Sequence, residues 1–230
     1  MHVVPDTIYI EESLKALEMT DVNSASAPAA KFAEEVGDDE LLDADGTHLY
    51  RSVLGRILYL SHWWRPDIQW SVRRLCCSMQ QPAQKNMKDL KHLMRYLSGT
   101  KQYGLTFPRQ NSETMEIEVY VDSDWASRET CRKSTSGGIL KVNGCTVASW
   151  SRGQSVVSLS SGEADLYAVT VGFVEGFGMK TLLEEAGFKC NLTIYSDSSS
   201  GRAMCYRIGA GSQKHIEVRR SFVQQLFRER

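Results

Sequence analysis

Hydrophobic periodicity changes once along this 230-residue chain, near residue 115, and that change limits the folds open to it. Upstream, apolar residues recur at helical spacing. Leu49, Val53, Ile57 and Leu60 make one run; Ile68, Val72, Leu75 and Met79 a second; Met87, Leu90, Leu93, Met94 and Leu97 a third. Pro66 and Pro82 punctuate these runs, and Gly99 is placed to cap the last of them. Downstream, Met115, Ile117, Val119 and Val121 alternate with Glu116, Glu118, Tyr120 and Asp122, the period of a half-buried strand. Ile139, Val142 and Cys145 suggest a second strand with Asn143-Gly144 as a hairpin turn, and Val147 to Trp150 a third. An apolar helix is expected over 161–185, closed by Gly187, then a strand from Leu192 to Tyr195 and a last helix over 215–227. Strands in a meander, a helix, a strand and a helix describe an α/β layer fold behind a small helical region.

The formal net charge of -1 conceals an uneven distribution. Residues 1–46 carry 2 basic and 12 acidic groups, residues 47–114 carry 11 and 3, and residues 115–230 carry 14 and 13. The leader holds a short amphipathic pattern over 6–19 and then the run Glu34 to Asp45, read as a solvated linker. Eight basic residues (Arg51, Arg56, Arg65, Arg73, Arg74, Lys85, Lys88, Lys91) lie among Trp63, Trp64 and Trp70, a composition that fits contact with phosphate backbones. No apolar run approaches the ~18–20 residues of a bilayer span, and no signal-peptide pattern opens the chain. No membrane partner and an intracellular location, a cytoplasmic particle or the nucleus, are therefore expected. The six cysteines lack CxxC spacing or histidine pairing and read as reduced thiols.

Three carboxylates occupy privileged places: Asp122 at the end of the first strand, Glu163 at the start of the long helix, and Asp197 after the fourth strand. Reactive groups of α/β sheets collect at such strand ends. Hard oxygen donors without Cys or His suit Mg²⁺ or Mn²⁺, and a pair of such ions about 4 Å apart activates water for phosphodiester hydrolysis. Structural roles stay open for each. Glu163 fits a capping box with Ser160, Asp197 a helix cap, and Asp122 and Asp124 a turn.

The segments YVDSDWA (120–126), RKSTSGG (132–138), SLSSGEADLYA (158–168), YSDSSS (195–200) and KHIEVR (214–219) resemble the ribonuclease H domain of copia-type retrotransposon polyproteins. YRSVLGRILYL (50–60) and RPDI (65–68) look like the connection that follows the reverse transcriptase there, and IYIEESLKALEMTD (8–21) is similar to the end of the polymerase part. The resemblance implies three regions: 1–46, a reverse transcriptase end and acidic linker; 47–110, a helical connection; 112–230, a ribonuclease H-like domain with a mixed sheet flanked by helices.

It also implies an activity, hydrolysis of the RNA strand of RNA–DNA hybrids with two Mg²⁺ or Mn²⁺ ions. Asp122, Glu163 and Asp197 match the catalytic and metal-binding positions, with Asp124 a secondary metal ligand. Arg132, Lys133, Ser134 and His215 would contact nucleic acid, and the reverse transcriptase portion of the parent polyprotein would be a partner. The family continues into a fifth strand and a helix with a fourth carboxylate; the chain stops at Arg230, so both are expected to be missing. The alternative to an active nuclease is an inactive, truncated remnant that at most binds nucleic acid.

Overall fold

The computed structural model describes residues 1–29, 40–109, 112–127 and 132–206. The expected helix at 215–227, His215, Glu217, Cys131 and the first half of the acidic run lie outside the described residues. The chain divides into two compact units, residues 2–106 and residues 107–230 together with Met1.

The first unit is helical. A two-residue strand β1 (His2–Val3) pairs antiparallel with β2 (Leu105–Thr106), so the two ends of the unit meet. Between them run α1 (Ile8–Ala16), α2 (Ala44–Trp63), a 3₁₀ turn (Pro66–Ile68), α3 (Gln69–Cys76) and α4 (Gln84–Gly99). Ile10 and Leu14 of α1 share one buried core with Tyr50, Val53 and Ile57 of α2 and with Leu90, Leu93 and Leu97 of α4. Asp43, within the acidic run, caps α2 by accepting from the Gly46 N–H at 2.8 Å. The expected boundary at 46/47 thus lies inside α2. Gly99 is no left-handed cap: it is the last residue of α4, and Thr100 follows with φ -124°. Its lack of a side chain serves close approach, because a Cβ there would stand 2.5 Å from Cβ of Ser24.

Arg65 and Arg51, among the eight basic residues, are held by the fold. Arg65 is 1% exposed and donates to both Asp67 carboxylate oxygens (2.9 and 2.7 Å) and to the carbonyl and hydroxyl of Thr100. Tyr96 and Tyr103 cover its guanidinium at 5.7 and 5.5 Å. Arg51 donates to the carbonyls of Met79 and Gln80, both at 2.8 Å, and so closes the turn after α3.

The second unit is a layered α/β structure. Its strands are β3 (Thr114–Asp124), β4 (Thr135–Val142), β5 (Cys145–Gly153) and β6 (Lys189–Tyr195), in the order β5-β4-β3-β6. β3 runs antiparallel to β4 and parallel to β6, so the sheet is mixed. Asn143 and Gly144 both take positive φ (48° and 74°), which gives the hairpin a two-residue turn matched to the sheet twist. Cys145 falls after that turn and opens β5.

Helix α5 (Ser161–Glu185) provides the crossover from β5 to β6 and packs on one sheet face. Leu166 and Phe173 join Ile117, Val119, Val121 and Leu192 in the core. Gly172 and Gly176 let it approach: a Cβ at Gly172 would stand 2.5 Å from Val121 Cγ1, one at Gly176 2.8 Å from Leu192 Cδ1. By length and composition α5 would suffice to cross a membrane, but its buried residues are spent on the sheet. Helix α6 (Ser199–Tyr206) packs beside it, with Cys205 in the same core. On the opposite face Tyr120 and Tyr195 stack at 4.8 Å, and Lys141 lies 5.3 Å from the Tyr120 ring. The described cysteines are all free thiols.

Candidate active site

Parallel neighbours β3 and β6 finish at the same edge of the sheet, which brings Asp122 and Asp124 near Asp197, two residues beyond Tyr195. Gly137 lies directly across from Asp122 on β4 and adds no side chain over it. The Asp122 carboxylate accepts from the Ser123 N–H at 2.7 Å. Loss of hydration against the sheet raises its pKa above the usual carboxylate range. The Ser123 N–H works the other way, and the charges of Asp197, Asp165 and Asp124 push it higher again. Four carboxylates therefore bear on one corner of the sheet.

Asp165, which the sequence motifs alone do not single out, belongs to this corner. The Ser123 hydroxyl donates to Asp165 Oδ1 at 2.5 Å. Gly201, in α6, backs directly onto the same residue, and a Cβ there would stand 3.1 Å from Asp165 Cβ. Glu163 is 1% exposed and turned elsewhere. One of its oxygens accepts from the Leu159 N–H (2.9 Å) and the other from the Tyr167 hydroxyl (3.3 Å), while its own N–H donates to Ser160 Oγ. It does the work of a capping box displaced by one residue. Positions two apart on a helix face roughly opposite ways. Asp165 shares the stripe of Val169, Gly172 and Gly176 that faces β3, and helix phase was the signal in the sequence that could have found it.

The cap envisaged for Asp197 is supplied by its neighbour: Ser198 Oγ accepts from the Gly201 N–H at 2.9 Å. Of the residues expected to meet nucleic acid, Arg132 is exposed, with φ 51°, and Lys133 is half-buried. Ser134 is fully buried, and its hydroxyl accepts from the Ala126 N–H at 3.1 Å, which ties it to the loop after β3.

A buried polar network fixes this corner. Gln154 Nε2 donates to Ser136 Oγ (3.0 Å) and to the Ala164 carbonyl (2.9 Å), and its Oε1 accepts from Ser158 Oγ (2.9 Å). Trp125 Nε1 donates to the Ser158 carbonyl at 3.1 Å. The loop after β3, strand β4, the end of β5 and the start of α5 are thereby tied together. Ser136 and Ser158, both from the sequence motifs, serve these ties.

The carboxylate corner offers hard oxygen donors, and a divalent cation there would offset both the lost hydration of Asp122 and the negative charges around it. Among the described residues, no three His, Cys, Asp or Glu side chains are placed together as a ready metal-ligand group.

Curated proteins resemble the chain. The retrovirus-related Pol polyprotein from transposon RE1 of Arabidopsis thaliana is 30% identical over 76% of this chain, and the chain spans 12% of that polyprotein's length. An uncharacterized mitochondrial protein of Arabidopsis thaliana is 33% identical over 74% of the chain and 68% of its own length. A protein of Plasmopara viticola, named secreted RxLR effector protein 161, is 38% identical over 53% of the chain and 84% of its own. No family model matches the chain, and no solved structure matches it.

Proposed function

We propose that this chain, similar over most of its length to retrovirus-related Pol polyproteins of transposons, is part of such a polyprotein, and that its second unit is a ribonuclease H-type nuclease cleaving the RNA strand of RNA–DNA hybrids. One observation carries the proposal. In the mixed sheet of a Pol-related chain, Asp124, Asp165 and Asp197 all act on Asp122 at the strand ends. Asp122, Asp165 and Asp197 would hold the divalent cations, with Asp124 as a secondary ligand. Asp165 is preferred to Glu163 here because the Glu163 oxygens accept from the Leu159 N–H and the Tyr167 hydroxyl at the helix start. Bound Mg²⁺ or Mn²⁺ supplies the activation of water and the neutralisation of the leaving oxygen. The chain's own contribution is positioning: Ser123 fixes Asp165, the Ser123 N–H orients Asp122, and Gly137 leaves the Asp122 carboxyl open to substrate. Arg132 and Lys133 would contact phosphates, which sets the register of the hybrid without reading its sequence.

A second reading has its own observation. The carboxylates do not stand as a ready ligand group among the described residues, which suits a remnant that binds nucleic acid without cutting it. Incubating the full chain with an end-labelled hybrid in Mg²⁺ or Mn²⁺ separates the two. A nuclease cleaves the RNA strand, and Asp122→Asn lowers the rate by about 10²–10³, the usual effect of removing one positioned electrostatic group. Retained binding with no cleavage in either ion favours the remnant.

A further inference from the structure

Helix α5 covers one face of the sheet in the second unit, and α6 packs against α5. On the other face stand Tyr120 and Tyr195, partners in register on the parallel strands β3 and β6. Their rings stack at 4.8 Å, 13° from parallel, and they remain 39% and 44% exposed. The Tyr120 hydroxyl donates to Glu118 Oε1 at 3.0 Å, and the Lys141 ammonium lies 5.3 Å from the centre of the Tyr120 ring. Rings held in this way are already ordered, so a partner that covers them loses little side-chain entropy.

Strand register sets the pair beside the carboxylates. Side chains two positions apart on a strand share a face, about 6.6 Å from one another. Tyr120 therefore precedes Asp122 on β3, and Tyr195 stands two residues before Asp197 on the neighbouring strand. Lys141, directly across from Glu118, lies on the side of the rings away from the acids.

We propose that Tyr120, Tyr195 and Lys141 form the contact surface for the nucleic-acid strand whose phosphate is held at the carboxylate corner. The exposed parts of the rings pack on the sugar and base of the next nucleotide, and Lys141 meets its phosphate. The identity of this partner rests on the nuclease reading, to which it adds three residues and a contact. Aromatic rings take bases of any sequence, and a cation beside them supplies the attraction for the backbone. Apart from Ile139, the register neighbours of the rings on this face are polar: Glu118, Thr193 and Ser149. The centre of a stable interface with a folded protein is more apolar than this.

Fluorescence anisotropy of the full chain with a labelled RNA–DNA hybrid tests it, in Mg²⁺ and on an Asp122→Asn background that keeps the probe intact. Tyr195→Ala should weaken binding about tenfold, the scale of one lost aromatic contact to a base. Tyr195→Phe, which keeps the ring, should stay within about twofold of the parent. Lys141→Gln should weaken binding and flatten its dependence on salt. Val174→Ala, at a position 54% exposed on α5, should change nothing. Unaltered affinity in either Tyr195→Ala or Lys141→Gln overturns the proposal, as does an equal loss in Val174→Ala. A dimer that Tyr195→Ala converts to monomer also overturns it, because a second copy would then cover the rings. Cleavage assays with Asp122 in place keep the two readings apart. Binding that depends on Tyr195 without cleavage in Mg²⁺ or Mn²⁺ leaves the contact standing and removes the nuclease. Cleavage whose KM and kcat are untouched by Tyr195→Ala does the reverse.

Discussion

Ser123 donates its hydroxyl to Asp165 across 42 residues of sequence, and this bond joins the end of β3 to the first turns of α5 beside Asp122. It makes Asp165 part of the carboxylate corner and leaves Glu163 to the helix start.

The two acids of α5 should therefore separate in mutagenesis. If Asp165 holds a cation as proposed, Asp165→Asn should lower hybrid cleavage by about 10²–10³ with little change in stability. Glu163→Ala should cost about 0.5–2 kcal/mol, the scale of a lost helix cap, and spare most activity. Cleavage rates and urea midpoints of both variants check the pair; loss of activity in Glu163→Ala alone would return the role to Glu163.

A pH signature attaches to Asp122. Its folded pKa is raised, so the folded state holds the proton more tightly than the unfolded chain, whose aspartates titrate near 3.9. The resulting cost to stability is absent below pH ~3.9, grows as the pH passes from there through the folded pKa, and is complete above it. In metal-free buffer Asp122→Asn should raise Tm at pH 7, and the gain should vanish on acidification below about pH 4. Added Mg²⁺ should raise the Tm of the unaltered chain more than that of the variant. Thermal melts across pH, with and without the ion, read both effects.

Glycines within helices should respond in opposite directions. Alanine is the better helix former by about 1 kcal/mol, and at Gly55 a Cβ would meet nothing within 4 Å, so Gly55→Ala should gain about 0.5–1 kcal/mol. At Gly172 the same change drives a Cβ to 2.5 Å from Val121 and should cost about 1–3 kcal/mol despite the better propensity. Denaturant unfolding that follows the transition of each unit measures both.

In the helical unit, Asp67→Ala would strand the buried Arg65 guanidinium and should cost about 3–5 kcal/mol. Glu11→Ala, which breaks the more exposed contact with Lys101 at 3.4 Å, should stay within about 0.5 kcal/mol. Midpoints in urea that fail to differ would place the stability of the unit elsewhere.

Features set by local periodicity were legible before any coordinates. Helix α5 runs over the residues its pattern gives, and Asn143-Gly144 makes the expected turn, because spacing and turn chemistry act within a few residues. Gly99 shows the limit. Its position suggested a cap, yet its constraint comes from Ser24, 75 positions away in sequence. Glu163 shows another: the S-x-x-E pattern identified a real bond network, but which acid meets Asp122 depends on how the helix is rotated over the sheet. The basic block was visible as composition, while the burial of Arg65 depends on Asp67 and Thr100 meeting across a fold.

The pairing of β1 with β2 places Val3 opposite Leu105. A folded body whose entry and exit strands adjoin can be lifted out of a chain, reopened at a surface turn and rejoined through its old ends with little distortion. Residues 2–106 thus have the geometry of a body that tolerates new termini at a surface turn and a short bridge across its present ones.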